Sequence, residues 1–388
     1  MLQQTQVKTV MPYWQRWMQT LPTIEAVASA RLEQIHKLWE GLGYYTRVRN
    51  LQKAAQTIVE RHGGEFPRSF GEVLALPGIG RYTAGAICSI AFNQPTPILD
   101  GNMMRVLTRV FGISGNPRAP KVNDRLWHIA ERLVQAAANG HGCKAGSRIA
   151  RPRSRRGSAA SGAARTDHPA PNASSHLNQA LMELGALICT PKQPQCGVCP
   201  AASYCSAYRQ GRVHELPRPT PRARTTPRRF IALVVERRSR FLVQQRPAGV
   251  VNAHLWEFPN IEGALGESVC QVSGSGNEAP EQRASSPRPS SPGEEKGNFP
   301  PRMNEYASEL RNAARRLLGG ATCRLDSLCT IKHSITRYRI TLEVFRANFD
   351  HAAKLAPKEG RWLNRSQLRR LPFASAHKRI LACIGAQR

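Results

Sequence analysis

The chain has 388 residues, with 56 Lys and Arg against 26 Asp and Glu, a formal net charge of +30. That length allows more than one core, and so large a basic excess favours a polyanionic partner through counterion release. No apolar run is long enough to span a bilayer, and no signal-like segment or lipidation motif is seen, so neither a secreted nor a membrane-anchored protein is expected. Part of the charge carries no information: Lys144, Arg148, Arg151, Arg153, Arg155, Arg156 and Arg165 lie in one low-complexity stretch.

Residues 1 to about 210 read as helical. Leu32, Ile35, Leu38, Trp39 and Leu42 fall at three- and four-residue steps, as do Leu51, Ala54, Ala55, Ile58 and Val59. Next comes Leu76-Pro77-Gly78-Ile79-Gly80-Arg81-Tyr82-Thr83-Ala84-Gly85, in which one helix ends, a Gly-x-Gly hairpin turns and another helix begins. Glycines there let backbone N–H groups converge beside a helix N-terminus and hold a DNA phosphate without reading a base. A tight interhelical turn of no function has the same look. Downstream, Leu99-Asp100-Gly101-Asn102 leads into Arg105-Val106-Leu107; a carboxylate at the start of a helix is most often an N-cap.

The run Asn139–Ser175, rich in Gly, Ala, Ser and Arg, is expected to be a disordered insertion. After it come Cys189, Cys196, Cys199 and Cys205, spaced C-x6-C-x2-C-x5-C. Four thiolates that close can hold one centre, zinc or a cubane iron–sulfur cluster. Zinc sites usually pair two short Cys-x-x-Cys knuckles, and here Cys196 and Cys199 alone form one, so the spacing fits a cluster better; disulfides suit a secreted chain. The prolines of residues 211–228 argue against regular structure and mark a linker. Beyond it FIALVVE and RFLVQQ read as two strands joined by a charged turn, and Tyr338, Ile340, Leu342 and Val344 alternate with polar residues as in a half-buried strand. A second insertion is expected over residues 272–301. The chain therefore divides into 1–210, a linker 211–228 and 229–388: a multi-domain fold, all-α and then α+β.

The order hairpin, aspartate, four-cysteine loop resembles the endonuclease III-like helix-hairpin-helix DNA glycosylases. Met1-Leu2-Gln3-Gln4-Thr5-Gln6-Val7, Gly41-Leu42-Gly43-Tyr44-Tyr45, Pro97-Ile98-Leu99-Asp100-Gly101-Asn102 and Asn178-Gln179-Ala180-Leu181-Met182 narrow the likeness to the adenine DNA glycosylase (MutY) family. It covers residues 1–138 and 176–388. The resemblance implies a [4Fe-4S] cluster on the four cysteines, structural in role with redox signalling left open, and a monomer of the bacterial cytoplasm working at the nucleoid. The implied partner is double-stranded DNA with A:8-oxoguanine or A:G mispairs, with no membrane.

The same resemblance assigns residues. Asp100 would stabilise the oxocarbenium-like sugar cation with Asn102 orienting it. Position 82, a lysine in strand-nicking relatives, is Tyr82, which cannot form a Schiff base, so the base would leave with the strand intact. Leu2, Gln4 and Tyr44 would contact the mispair, Gln4 and Tyr44 as wedges, while Gln179 would read the adenine edge. A surface amide, a core aromatic and a solvent-facing helix glutamine are the plain alternatives for Gln4, Tyr44 and Gln179. Gly78, Gly80 and Lys192 would meet the phosphate backbone. The C-terminal half resembles a Nudix domain whose metal-binding glutamates are reduced to Glu309 within Ser308-Glu309-Leu310-Arg311-Asn312-Ala313, so a lesion-sensing role is implied without hydrolysis. Its recognition loop, Phe-Ser-His in the family, reads Ile335-Thr336-Arg337, with Thr336 keeping a hydroxyl. A plain hairpin turn has the same form.

In the family a glutamate two residues before Met-Leu-Gln-Gln-Thr protonates the departing adenine, and this sequence starts at that methionine. The expectation is that upstream in-frame codons encode roughly forty more residues. Without that acid, which is worth ~10²–10⁴-fold, the 388-residue chain is expected to bind DNA weakly and excise little adenine. A mispair-binding module without chemistry, and a glycosylase of another base specificity, are the competing readings.

Overall fold

The computed structural model describes residues 1–3, 5–140, 172–218, 225–263, 301–320, 323–335, 337–348 and 360–385. The two expected insertions fall almost wholly outside them, and so do Gln4 and Thr336. Helices run over Val7–Thr20 (α1), Ile24–Ser29 (α2), Leu32–Trp39 (α3), Thr46–His62 (α4), Phe70–Ala75 (α5), Arg81–Phe92 (α6), Gly101–Val110 (α7), Pro120–Ala138 (α8), Ala173–Glu183 (α9) and Ser206–Arg209 (α10). Strands follow over Thr226–Arg237 (β1), Arg240–Gln245 (β2), Trp256–Glu257 (β3) and Asn260–Gly263 (β4). The chain closes with Pro301–Leu317 (α11), Arg324–Ile335 (β5), Tyr338–Asn348 (β6), Arg361–Asn364 (β7), Arg365–Arg370 (α12) and Ser375–Gly385 (α13). Among the described residues no helix is long and apolar enough to cross a membrane.

These elements form two compact units that interleave in sequence: Thr23–Ser29 with Asn50–Arg222, and Met1–Pro22 and Ala30–Arg49 with Ala223–Arg388. The first is helical. Ile98, Leu99, Met103, Leu107, Ile113, Leu126 and Ala130 form its main core, to which Tyr82, Leu181 and Met182 add partly buried faces. Helix α9 begins at Ala173 with Ser174 and Ser175 buried, so ordered helix reaches back into the last residues assigned to the insertion.

The second unit is built on a mixed sheet of order β3-β2-β1-β6-β5, with β4 pairing β1 and β7 pairing β2. β1 and β6 are parallel over Thr226–Val235 and Tyr338–Ala347, while β5 and β6 are an antiparallel hairpin with one register shift between Ser327 and Cys329. Side chains alternate across a strand. Ile231, Leu233 and Val235 accordingly pack on Ala313, Ala314 and Leu318 at the C-terminal end of α11. Ala232 and Val234 face the opposite way, toward Leu368, Ile380 and Ile384 of α12 and α13.

Two expectations are corrected by this arrangement of the sheet. β6 is buried on both sides from Leu342 to Phe345 and is not half exposed. Glu343, 1% exposed, keeps its charge there because Arg229 donates to it at 2.9 Å and the Tyr306 hydroxyl at 2.8 Å. The linker reading also ran too far, since β1 starts at Thr226 and pairs Pro227 with Arg339. Proline, lacking an N–H, is tolerated at that first turn of strand.

Two histidines of this unit are buried. Neither ring nitrogen of His36 meets a hydrogen-bond partner among the described residues, and burial, aided by nearby Arg49 and His254, lowers its pKa to about 4. His377 accepts the Phe258 N–H at Nδ1, 3.2 Å, and burial with Arg246 and His333 nearby lowers it to about 3. The unfolded chain takes up both protons near 6.5. Between that value and the folded ones the unfolded state binds more protons, so stability is lost as pH falls. Going from about pH 7 to about pH 5 will cost about 2 kcal/mol per histidine. Urea unfolding at both values measures this, and His36→Leu should remove about half of the difference. A parent midpoint that does not move with pH refutes it.

Candidate active site and cysteine loop

The hairpin is set by its ends. Ser69 caps α5 by accepting the Glu72 N–H at 3.3 Å, and its hydroxyl donates to the Glu72 carboxylate at 2.6 Å. Gly78 takes φ +78°, and a Cβ there would lie 2.5 Å from that of Asn50. Only glycine suits both demands. Gly80 caps α6 with no side chain over it, which leaves the first N–H groups of the helix open to an anion, and Gly78 and Gly80 are both exposed. Arg81, the first residue of α6, rests on the Trp127 ring at 4.0 Å.

The second residue of α6, Tyr82, is half-buried. Burial and the nearby Asp100 carboxylate raise its pKa, and its hydroxyl donates to Met182 Sδ at 3.7 Å. Gly85 brings the Pro97–Asp100 segment against this helix, since a Cβ there would stand 2.2 Å from the Pro97 carbonyl oxygen. That segment delivers Asp100 to the N-terminus of α7, where Oδ1 accepts the Met103 N–H at 2.7 Å. Asp100 is thus an N-cap as well as a candidate catalytic carboxylate. Asn102 does not bond Asp100; its Oδ1 accepts from Arg105 at 3.0 Å.

Further along α7 two arginines turn inward. Arg105 donates to the carbonyls of Gly185 at 2.6 Å and Cys189 at 2.7 Å. Arg109, 2% exposed, donates to the carbonyls of Leu216 and Thr190 at 2.8 Å each, to that of Pro191 at 3.4 Å and to Cys189 Sγ at 3.3 Å. Gly185 sits in a π-helical stretch, Leu184–Ile188, which carries the chain from α9 into the loop, and a Cβ there would lie 2.8 Å from that of Asn102. One helix therefore carries the aspartate on its first turn and grips the cysteine loop with its last two.

Cys189, Cys196, Cys199 and Cys205 line one pocket together with Arg109 and Tyr208. The proximity of the other three thiols adds to burial in raising the Cys196 pKa. Among the described residues no three His, Cys, Asp or Glu side chains are gathered tightly enough for a single metal ion. Four thiols around one hollow are the donor set that either zinc or an iron–sulfur cluster takes.

Other expected residues are placed as follows. The amide of Gln179 turns back onto its own helix, donating to Ser175 Oγ at 3.0 Å and to the Ser175 carbonyl at 3.4 Å. Lys192 is exposed on the cysteine loop. In the mixed unit, Leu2 and Tyr44 are 59% and 54% exposed, and Tyr44 holds φ +48°, uncommon for a residue with a Cβ. Arg47 joins their segments, donating to the carbonyls of Met1 at 3.1 Å and Gln3, with its guanidinium 5.4 Å from the Tyr44 ring.

Two family models match: the HhH-GPD superfamily base excision DNA repair protein over residues 1–132, and the NUDIX domain over residues 230–383. The adenine DNA glycosylase of Mus musculus is 32% identical over 426 aligned residues, covering 98% of this chain and 69% of the mouse protein. The chain belongs to the adenine DNA glycosylase family. The enzyme of that name from Rattus norvegicus is 45% identical over 222 residues, 56% of this chain and 36% of its own length, so the alignment spans about a third of the rat protein. Among solved structures, that of a thermostable thymine-DNA glycosylase aligns with 24% identity and a TM-score of 0.41, covering 54% of this chain and 80% of that one.

Sequence reasoning missed the two arginines that tie the aspartate helix to the cysteine loop in this adenine glycosylase family member. Arg105 was noted merely as following Asp100, and Arg109 was not singled out. A signal was present: the two lie four apart on a helix whose Met103, Val106 and Leu107 are all apolar and buried, so one face had to take guanidinium groups inside. Buried arginines need several acceptors, and a loop ending a helix supplies free carbonyls.

Proposed function

We propose that the protein removes adenine from duplex DNA where it stands opposite 8-oxoguanine or guanine. Water replaces the base at the sugar C1′, and the phosphodiester chain is left intact. The observation that carries this reading is Asp100 at the N-terminus of α7 with Tyr82, and no lysine, beside it. The carboxylate opposes the positive charge that develops on the sugar as the bond to adenine breaks. Tyr82 has no amine to trap the opened sugar, so the product is an abasic site. The hairpin glycines and Lys192 hold phosphates, Gln4 and Tyr44 fill the gap left by the extruded base, Leu2 contacts the mispair and Gln179 reads the adenine edge.

The four cysteines would hold a [4Fe-4S] cluster, whose contribution is to fix the shape of the loop that presents Lys192. Residues 1–210 and 226–388 supply the glycosylase and lesion-sensing functions, with Met1–Pro22 and Ala30–Arg49 of the former packed in one compact unit with the latter. In the latter, Glu309 is engaged by Arg229 at 2.7 Å, and Asn312 and Ala313 stand where Nudix hydrolases need acids. Thr336 would contact the lesion.

Because little excision is expected of these 388 residues, the protein is incubated in large excess over an A:8-oxoguanine duplex, and the sites formed, in whatever yield, should break only on alkali treatment. Tyr82→Lys should then yield some strand nicking and a covalent complex trapped by borohydride. High-yield trapping by the unmodified protein would end the monofunctional reading. Binding of the mispair with no release of adenine would make the protein a mispair-binding module.

A further inference from the structure

Glu40 ends α3 directly before the Gly41–Tyr45 loop, and its side chain is 6% exposed. Its partners, apart from Lys37, lie more than three hundred residues away in sequence, within the same compact unit. One carboxylate oxygen accepts the Phe373 N–H at 2.9 Å; the other accepts Lys378 Nζ at 2.7 Å and Lys37 Nζ at 3.0 Å. Lys37 also donates to the Leu371 carbonyl at 2.9 Å. The segment so gripped belongs to the sheet unit's core: the Trp256 N–H donates to the Pro372 carbonyl at 2.9 Å, the Ala374 N–H to the Trp256 carbonyl at 3.2 Å, and Phe373 lies against Phe258. Burial alone would raise the pKa of Glu40, but the bonds from Lys378, Phe373 and Lys37 outweigh it and hold the group lowered, hence charged.

On the other side of Glu40 the loop has little freedom. Trp39 Nε1 donates to the Gly43 carbonyl at 2.9 Å, and the Gly41 N–H donates to the Tyr45 hydroxyl at 3.3 Å. Gly41 holds φ +111°, and a Cβ there would meet the Tyr13 hydroxyl at 2.4 Å. Gly43 and Tyr44 follow at φ +70° and +48°. A displacement of the Phe373 segment is therefore passed through Glu40 into the backbone that aims the exposed Tyr44 ring. An exposed ion pair could not do this, being soft and screened; a buried carboxylate tied to a backbone N–H can.

We infer that Glu40 is a positioning residue that makes the aim of Tyr44 depend on the C-terminal half of the chain, and so couples lesion sensing to insertion at the mispair. The inference rests on the proposed function. It differs from a purely stabilising clasp, which would weaken every duplex complex alike.

The test compares the parent with Glu40→Gln, Lys378→Met and the double variant. Each is titrated against duplexes carrying an uncleavable fluorinated adenosine opposite 8-oxoguanine, guanine or thymine, with thermal unfolding of each variant as a check. Glu40→Gln should lower the preference for 8-oxoguanine over guanine about tenfold, chiefly by weakening the lesion complex, and Lys378→Met should lower it less. The double variant should be no worse than Glu40→Gln alone, because both act through one contact. Should Glu40→Gln fail to fold, Lys378→Met decides. An unchanged preference, or equal weakening on all three duplexes, overturns the inference and leaves the proposed function standing. A parent that does not distinguish the lesion duplex from the A:T duplex overturns both.

Discussion

An Asp100→Asn protein will bind the A:8-oxoguanine duplex about as tightly as its parent and excise adenine about a thousandfold more slowly. The asparagine oxygen can still accept the Met103 N–H that Asp100 now accepts at 2.7 Å, so α7 keeps its cap and the grip of Arg105 and Arg109 below it. What disappears is the negative charge facing the sugar as it turns cationic, and preorganised charge in a water-poor site is commonly the largest single contribution to catalysis. Single-turnover excision with equilibrium binding on the same duplex measures both halves. An asparagine variant within about tenfold of the parent would mean that the aspartate is a cap and nothing more.

Arg109→Met should destabilise the helical unit by about 3 kcal/mol and lower the iron that the proposed cluster would place on the cysteine loop. Methionine fills much of the space of an arginine that is 2% exposed but donates nothing, which leaves the carbonyls of the buried Leu216 and of Thr190 and Pro191 with no guanidinium. Each orphaned buried acceptor costs about 1–3 kcal/mol. The loop backbone would then move toward water, and Cys189, which Arg109 also touches, would leave the shared pocket. Iron analysis should find about four irons in the parent and well under half of that in the variant. Parent-like iron content together with parent-like urea resistance would show that the loop holds itself.

Much of this architecture was legible because the signals are local. The steps of Leu32–Leu42 and Leu51–Val59 fall on α3 and α4, with Ile35, Trp39, Ala54 and Ile58 buried, while Leu51 and Val59 stay exposed and Leu42 lies past the end of α3. The two strand readings became β1 and β2, and the charged turn between them is Arg238-Ser239, both at positive φ. The four cysteines came together in one pocket. What could not be read was contact between distant segments. Nothing in the pattern of residues 30–49 announces that they fold with residues 223–388, since periodicity says which face is buried and not against what. The same holds for Glu343, polar in sequence and buried in fact because Arg229, on the neighbouring strand, carries its countercharge. Gln179 shows the limit from another direction: its position in the motif was evident, whereas its rotation onto Ser175 depends on packing around α9.

Gly85 and Gly185 flank the aspartate helix, one against the Pro97 carbonyl and the other against Asn102, each without room for a single added carbon. Neither touches a reacting atom, and neither belongs to the chemistry by which such a site is usually judged intact. Alanine at either position is one nucleotide change from glycine and would move Asp100 as surely as a substitution of Asp100 would remove it. In a lineage where selection on this protein relaxes, loss of repair can therefore begin at a position that a catalogue of catalytic residues would score as harmless. A gene copy that keeps the aspartate, the tyrosine and all four cysteines can already be a dead one.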